Sequence, residues 1–162
     1  MGGFLVRAVS LFLLSTALMI LPAACRGETE DTEEYLEFSS GGQYHPSGYG
    51  EWRVRLCGDG SVIATHTVGD RTESTDIFIP TKSETRTLFS LFCAIDIKHM
   101  KSSERPGVPD EVSYSFALKD GSGDYSRSVW INDARENPAV TDLVGYIEVL
   151  VQKYTGKKPV MR

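Results

Sequence analysis

The sequence predicts an α+β fold, an antiparallel sheet of about four to six strands with two amphipathic helices on one face. Three observations carry this. Residues 51–68 and 112–131 each alternate apolar and polar side chains on both sides of a turn rich in Asp and Gly, the pattern of a β-hairpin. Two further segments, behind Thr81 and Asn137, repeat apolar residues at helical spacing. Hairpins pair consecutive strands antiparallel, and a helix with one apolar stripe covers one sheet face.

The chain opens on a targeting pattern. Arg7 supplies a positive start, Ala8–Leu21 is an apolar run, and Pro22-Ala23-Ala24-Cys25 is a small-residue processing region. The run is short for a bilayer span, which takes ~20 residues. Residues 1–24 therefore read as a signal peptide, residues 25–34 as an acidic tether and residues 35–162 as one domain. Two processing routes fit. Ala23-Ala24-Cys25 matches the end of a bacterial lipobox, in which the cysteine is acylated, although Pro22 stands where an aliphatic residue is usual. A plain signal-peptidase cut is the other route. Either places the protein in the periplasm, at the outer membrane or outside the cell.

Tyr35–Phe38 is a short strand ended by Ser39-Ser40-Gly41-Gly42, and Gln43–Gly50 is a loop on composition. In the first hairpin Trp52, Val54 and Leu56 alternate with Arg53, Arg55 and Cys57. Asp59-Gly60 suits a two-residue type I′ turn. That register sets Cys57 against Val62, Leu56 against Ile63 and Val54 against Thr65. It gives Trp52, Val54, Leu56 and Ile63 the core face, and Val62, Ala64 and His66 the other. Gly69–Ser74 reads as a turn and Thr75–Ile79 as a strand stopped by Pro80.

Thr81 and Glu84 form a capping box, and Leu88, Leu91, Phe92 and Ile95 make one stripe on the helix that follows. Lys98–Glu111 is a long polar loop, of a length that is functional or mobile in a compact domain. In the second hairpin Tyr114, Phe116 and Leu118 alternate with Ser113, Ser115 and Ala117. A turn over Asp120–Gly123 sets Ser113 against Trp130, Ser115 against Ser128 and Ala117 against Ser126. The last helix starts at an Asn137 cap with Pro138 in first position and ends at Gly156.

Charge and motif content narrow the function. Without residues 1–24 the chain holds 16 basic and 22 acidic side chains, a net charge of −6. That disfavours nucleic acid and adhesion to an anionic membrane by charge. The three histidines, His45, His66 and His99, fall in no zinc-protease spacing. No glycine pattern joins a strand to a helix N-terminus as phosphate loops require. No cofactor, metal ligand set or catalytic group is expected. Export allows Cys57 and Cys93 to pair as a disulfide, and two buried thiols are the alternative. Binding is more plausible than catalysis. One candidate surface is the Ser115 and Ser128 face with Trp130 as anchor. The other is the Gly-flanked loop bearing Tyr44, His45 and Tyr49.

The strand ending in Ser40-Gly41-Gly42, the Gly58-Asp59-Gly60 turn, the helix, the second hairpin and the closing helix together resemble a group of small exported bacterial proteins. More loosely, they are similar to emfourin-type inhibitors of thermolysin-like metalloproteases. The resemblance spans Tyr35 to Tyr154 and rests on turn glycines and apolar periodicity. The insertion after Gly42 and the export signal depart from the inhibitor pattern. The resemblance implies the fold, and for function a protein partner, either a protease or an envelope component. The expectation is an exported, non-enzymatic binding module, lipid-anchored if Cys25 is acylated. A proteinase inhibitor presenting the Gln43–Gly50 or Lys98–Glu111 loop, and an enzyme with no recognisable motif, are the alternatives.

Overall fold

The computed structural model of the chain describes residues 34–41, 50–109 and 111–161. Among these residues six strands form one open antiparallel sheet: β1 (Tyr35–Ser40), β2 (Glu51–Cys57), β3 (Val62–Val68), β4 (Arg71–Phe78), β5 (Ser113–Asp120) and β6 (Gly123–Trp130). The order across the sheet is β4-β3-β2-β1-β5-β6. Among the described residues three helices accompany it: α1 (Lys82–Ile95), α2 (Ile131–Arg135) and α3 (Pro138–Thr155). This is the expected α+β architecture, with one short helix more than the sequence suggested.

Burial alternates along the central strands, so the core lies on one side of the sheet. Leu36 and Phe38 of β1, Trp52, Val54 and Leu56 of β2, and Tyr114 and Phe116 of β5 point into it. Leu88, Phe92 and Ile95 of α1 and the Val140-to-Val151 stripe of α3 meet them in a single cluster. Phe38 sits at its centre, its ring 5.2 Å from that of Tyr114 and 5.6 Å from that of Phe116. The capping box at Thr81 and the Asn137 cap of α3 both form. Glu84 also accepts from Lys153 at 2.6 Å and from the Tyr154 hydroxyl at 2.7 Å, which ties the start of α1 to the end of α3.

The first hairpin differs from expectation by one residue. Leu56 faces Val62, Val54 faces Ala64 and Trp52 faces His66. The reason lies in the turn. The Asp59 carboxylate accepts from the Ser61 amide at 2.8 Å and the Ser61 hydroxyl at 2.7 Å, an Asx turn that keeps Asp59 in the loop. Gly60 takes φ of +85° while Asp59 does not go positive, so the type I′ geometry is absent. A three-residue loop, Gly58–Gly60, results, closed by Cys57 and Ser61. Because side chains alternate, this slip exchanges faces. Val62 and Ala64 are fully buried, Ile63 turns to the other side, and His66 stacks on the Trp52 ring at 4.5 Å.

Two smaller corrections concern β4 and Ile131. The segment read as a turn over Gly69–Ser74 is mostly strand, because Gly69 and Asp70 alone turn the chain and β4 begins at Arg71. Ile131, read as the end of a strand, opens α2. The second hairpin has the expected register, with Ser113 against Trp130 and Ser115 against Ser128.

Candidate functional site

At the end of the sheet where β1 starts and β2 and β5 finish, the core face is left partly uncovered. Strand register lays a row of side chains across it: Phe78, Val62, Leu56, Leu36, Leu118 and Tyr125 stand opposite one another on consecutive strands. The leucines of that row form the floor of a groove of about 970 Å³. Its wall is the side of α1 bearing Arg86, Phe89, Phe92 and Cys93, and its rim is the Gly58–Gly60 turn, Ile79-Pro80 and the Lys98–Asp120 side.

The groove is predominantly apolar, and some of its apolar groups are open to water. Ile79 is 70% exposed and Phe89 53% exposed. The rim carries both signs of charge, but its three aspartates are engaged within the chain, and among its described acids Glu34 alone makes no ion pair. Lys98 pairs with Asp120 at 2.8 Å and holds that carboxyl down at about 2, with help from Ser122. Asp96 is bound by His99 at 2.9 Å, and Asp59 by Ser61. Lys82 and Arg86, on the groove side of α1, make no ion pair among the described residues. Cys57 and Cys93 both line the groove as thiols, the first buried and the second exposed. Of the two states open to them from the sequence, a disulfide or separate thiols, the structure holds separate thiols.

The surfaces expected from the sequence fall elsewhere. Ser115 and Ser128 do face each other, 3.5 Å apart, on the side of the sheet without helices. That side continues into a charged ladder, with Glu37 accepting from Arg55 at 2.8 Å and the Arg55 guanidinium 4.2 Å from the Tyr35 ring centre. Such a face is what an antiparallel sheet presents to water. Trp130, expected as its anchor, is engaged by its own chain. Its indole Nε1 donates to the Arg105 carbonyl at 2.9 Å, and Gly107 lies against its ring. Tyr44, His45, Tyr49 and the acylation candidate Cys25 lie outside the described residues.

The Lys98–Glu111 loop is what covers Trp130. Arg105 binds Glu111 at 2.7 Å and Asp133 at 2.9 Å. That contact, with the amides of Val108 and Asn132, keeps the nearly inaccessible Glu111 carboxyl at about 2. Asp133 is lowered too, first by the Ser103 hydroxyl and then by Arg105. Ser102 and Ser103 hydrogen-bond along the outer edge of β6, which blunts that edge against further pairing. The loop is therefore a stapled structure whose apex, Pro106–Pro109, is exposed except where Gly107 lies on the Trp130 ring.

Sequence reasoning missed the groove. Its one local sign is the pair Phe89 and Cys93, four residues apart and just off the buried stripe of α1, which widens the apolar face of that helix. Among the described residues no three His, Cys, Asp or Glu side chains gather to hold a metal, and no helix is long and apolar enough to cross a membrane. No protein-family model matches the chain, and no curated protein is significantly similar to it.

Proposed function

We propose that the protein is an exported, non-enzymatic binding module, held at a membrane when Cys25 is acylated, and that the groove beside α1 takes its ligand. The observation that carries this reading is the exposure of Ile79 and Phe89 at the mouth of a concave apolar surface. Large apolar groups grouped in this way mark interaction sites, and ligand sites are concave and mostly apolar. The test uses the processed protein purified from an exporting host and the dye 8-anilinonaphthalene-1-sulfonate. The expected result is saturable fluorescence at one dye per chain, lost in Phe89→Asp with no change in Tm. Absence of binding, or equal binding by the variant, would overturn the reading.

One observation favours a second reading, a proteinase inhibitor of the emfourin type. The Lys98–Glu111 loop combines an exposed apex with a tightly bonded base, and a loop already ordered in its bound form loses little entropy on docking. Val108, 53% exposed at the apex, would be its contact residue. Inhibition of thermolysin that Val108→Asp abolishes would support this reading, and no inhibition at micromolar protein would end it.

A further inference from the structure

We infer that the groove binds one acyl chain of an anionic membrane phospholipid, with the chain along the leucine row and the headgroup at Lys82 and Arg86. This rests on the groove being the ligand site. Three observations select the occupant. The floor formed by Leu56, Leu36 and Leu118 is a continuous apolar strip crossing three strands, suited to an extended hydrocarbon and offering little to a polar peptide. The charged groups at the mouth are unequal in availability. The rim aspartates Asp59, Asp96 and Asp120 are bonded within the chain; among the described residues the one lining carboxylate without an ion pair is Glu34, on the side of Gly121, against the two cations Lys82 and Arg86 together on α1, which have no ion pair either. An anion is therefore the complementary headgroup.

The third observation is where the chain runs. Glu34 lies in the groove wall, and its carbonyl accepts from Gly58 at 2.9 Å. It lies nine positions after Cys25, a stretch of nine residue steps. Even fully extended they span only ~30 Å at ~3.3 Å per residue. An acylated Cys25 thus keeps the groove within reach of the bilayer that supplies the lipid. Without residues 1–24 the net charge of −6 opposes adhesion to an anionic surface as a whole. Recognition therefore falls to the local pair Lys82 and Arg86 acting on a single headgroup.

The experiment displaces 8-anilinonaphthalene-1-sulfonate from the processed protein with palmitoyl lysophosphatidylglycerol, palmitoyl lysophosphatidylcholine or glycerophosphoglycerol, each below any micelle concentration. The expected result is displacement by the anionic lysolipid at a concentration at least tenfold lower than by the zwitterionic one, and none by the headgroup alone. Lys82→Glu with Arg86→Glu should erase the tenfold preference, read as the ratio of bound palmitoyl lysophosphatidylglycerol to bound palmitoyl lysophosphatidylcholine in native mass spectrometry and so independent of the anionic dye. Equal displacement by both lysolipids, or by neither, would overturn the inference and leave the groove reading intact. Failure of the dye itself to bind would overturn the groove reading. Native mass spectrometry of the same sample identifies the rival occupants. A dimer that Phe89→Asp converts to monomer would assign the groove to a second copy. Dye binding that tightens at least tenfold after proteolytic removal of residues 26–33 would assign it to the acidic leader. Either outcome overturns the lipid.

Discussion

Replacing Gly107 with alanine should detach the Lys98–Glu111 loop from the sheet. A Cβ at Gly107 would fall 2.7, 2.8 and 3.0 Å from the Cη2, Cζ2 and Cζ3 atoms of Trp130. Carbon atoms rest ~3.5–4.0 Å apart, so loop and ring must separate by roughly 1 Å. The ring cannot yield cheaply. The Trp130 backbone amide is bonded to Ser103 at 3.0 Å and its indole to the Arg105 carbonyl at 2.9 Å. Overpacking of this kind costs ~1–3 kcal/mol, and loss of the indole hydrogen bond adds about 1 kcal/mol. Against this, alanine restricts the unfolded chain and returns ~0.4–1 kcal/mol. The net expectation is a loss of about 2 kcal/mol, a Tm lower by ~6 °C in a domain of this size. Urea denaturation followed by far-UV circular dichroism gives the stability, and hydrogen exchange of the Trp130 indole reports the contact. In a Trp130→Ala background the same replacement should cost nothing, because the atoms it strikes are gone. Wild-type stability with a still-protected indole in Gly107→Ala would refute the packing described for this loop.

Two further outcomes follow from the same geometry. The Glu111 carboxyl sits at about 2 because of Arg105, below its unfolded value of ~4.3, so its stabilising contribution is complete above that value and is lost as pH falls toward 2. Glu111→Gln should therefore have a lower Tm than wild type at pH 7 and converge with it near pH 2. A gap that stays constant across that range would contradict the assignment; Glu84 and Asp120, also near 2, leave both proteins some acid sensitivity. Separately, Cys93 is exposed in the groove while Cys57 is 5% exposed. Peptide mapping after brief maleimide treatment should find Cys93 modified first, and 8-anilinonaphthalene-1-sulfonate should slow that reaction. Equal labelling of the two thiols, or no protection by the dye, would count against the groove geometry.

Much of the architecture was legible in the residues. Thr81 with Glu84, and Asn137 with Pro138, locate both long helices, because a cap satisfies donors that would otherwise be orphaned whatever the helix packs against. The period of the second hairpin was readable because Tyr114, Phe116 and Leu118 alternate strictly with small or hydroxylated residues. The first hairpin shows where such reading stops. Asp59-Gly60 fits two turn lengths, and the Asp59–Ser61 hydrogen bonds, with the burial of Val62 and Ala64, select the longer one.

The sequence by itself determined the α+β class, the helix limits and the alternation of faces, since these follow from local conformational preference and from periods of 2 and 3.6 residues. The tertiary structure alone decided what could act as a site. Phe89 and Cys93 on α1 look like ordinary helix positions until the sheet end beneath them proves partly uncovered, as the floor of a groove. Leu36, Leu56 and Leu118 are far apart in the chain and become one strip only through pairing across β2, β1 and β5. Trp130 reads as an exposed anchor until residues twenty-odd positions earlier fold over it. Exposure is set by which elements happen to cover a side chain, and that depends on contacts distant in sequence that no local pattern encodes.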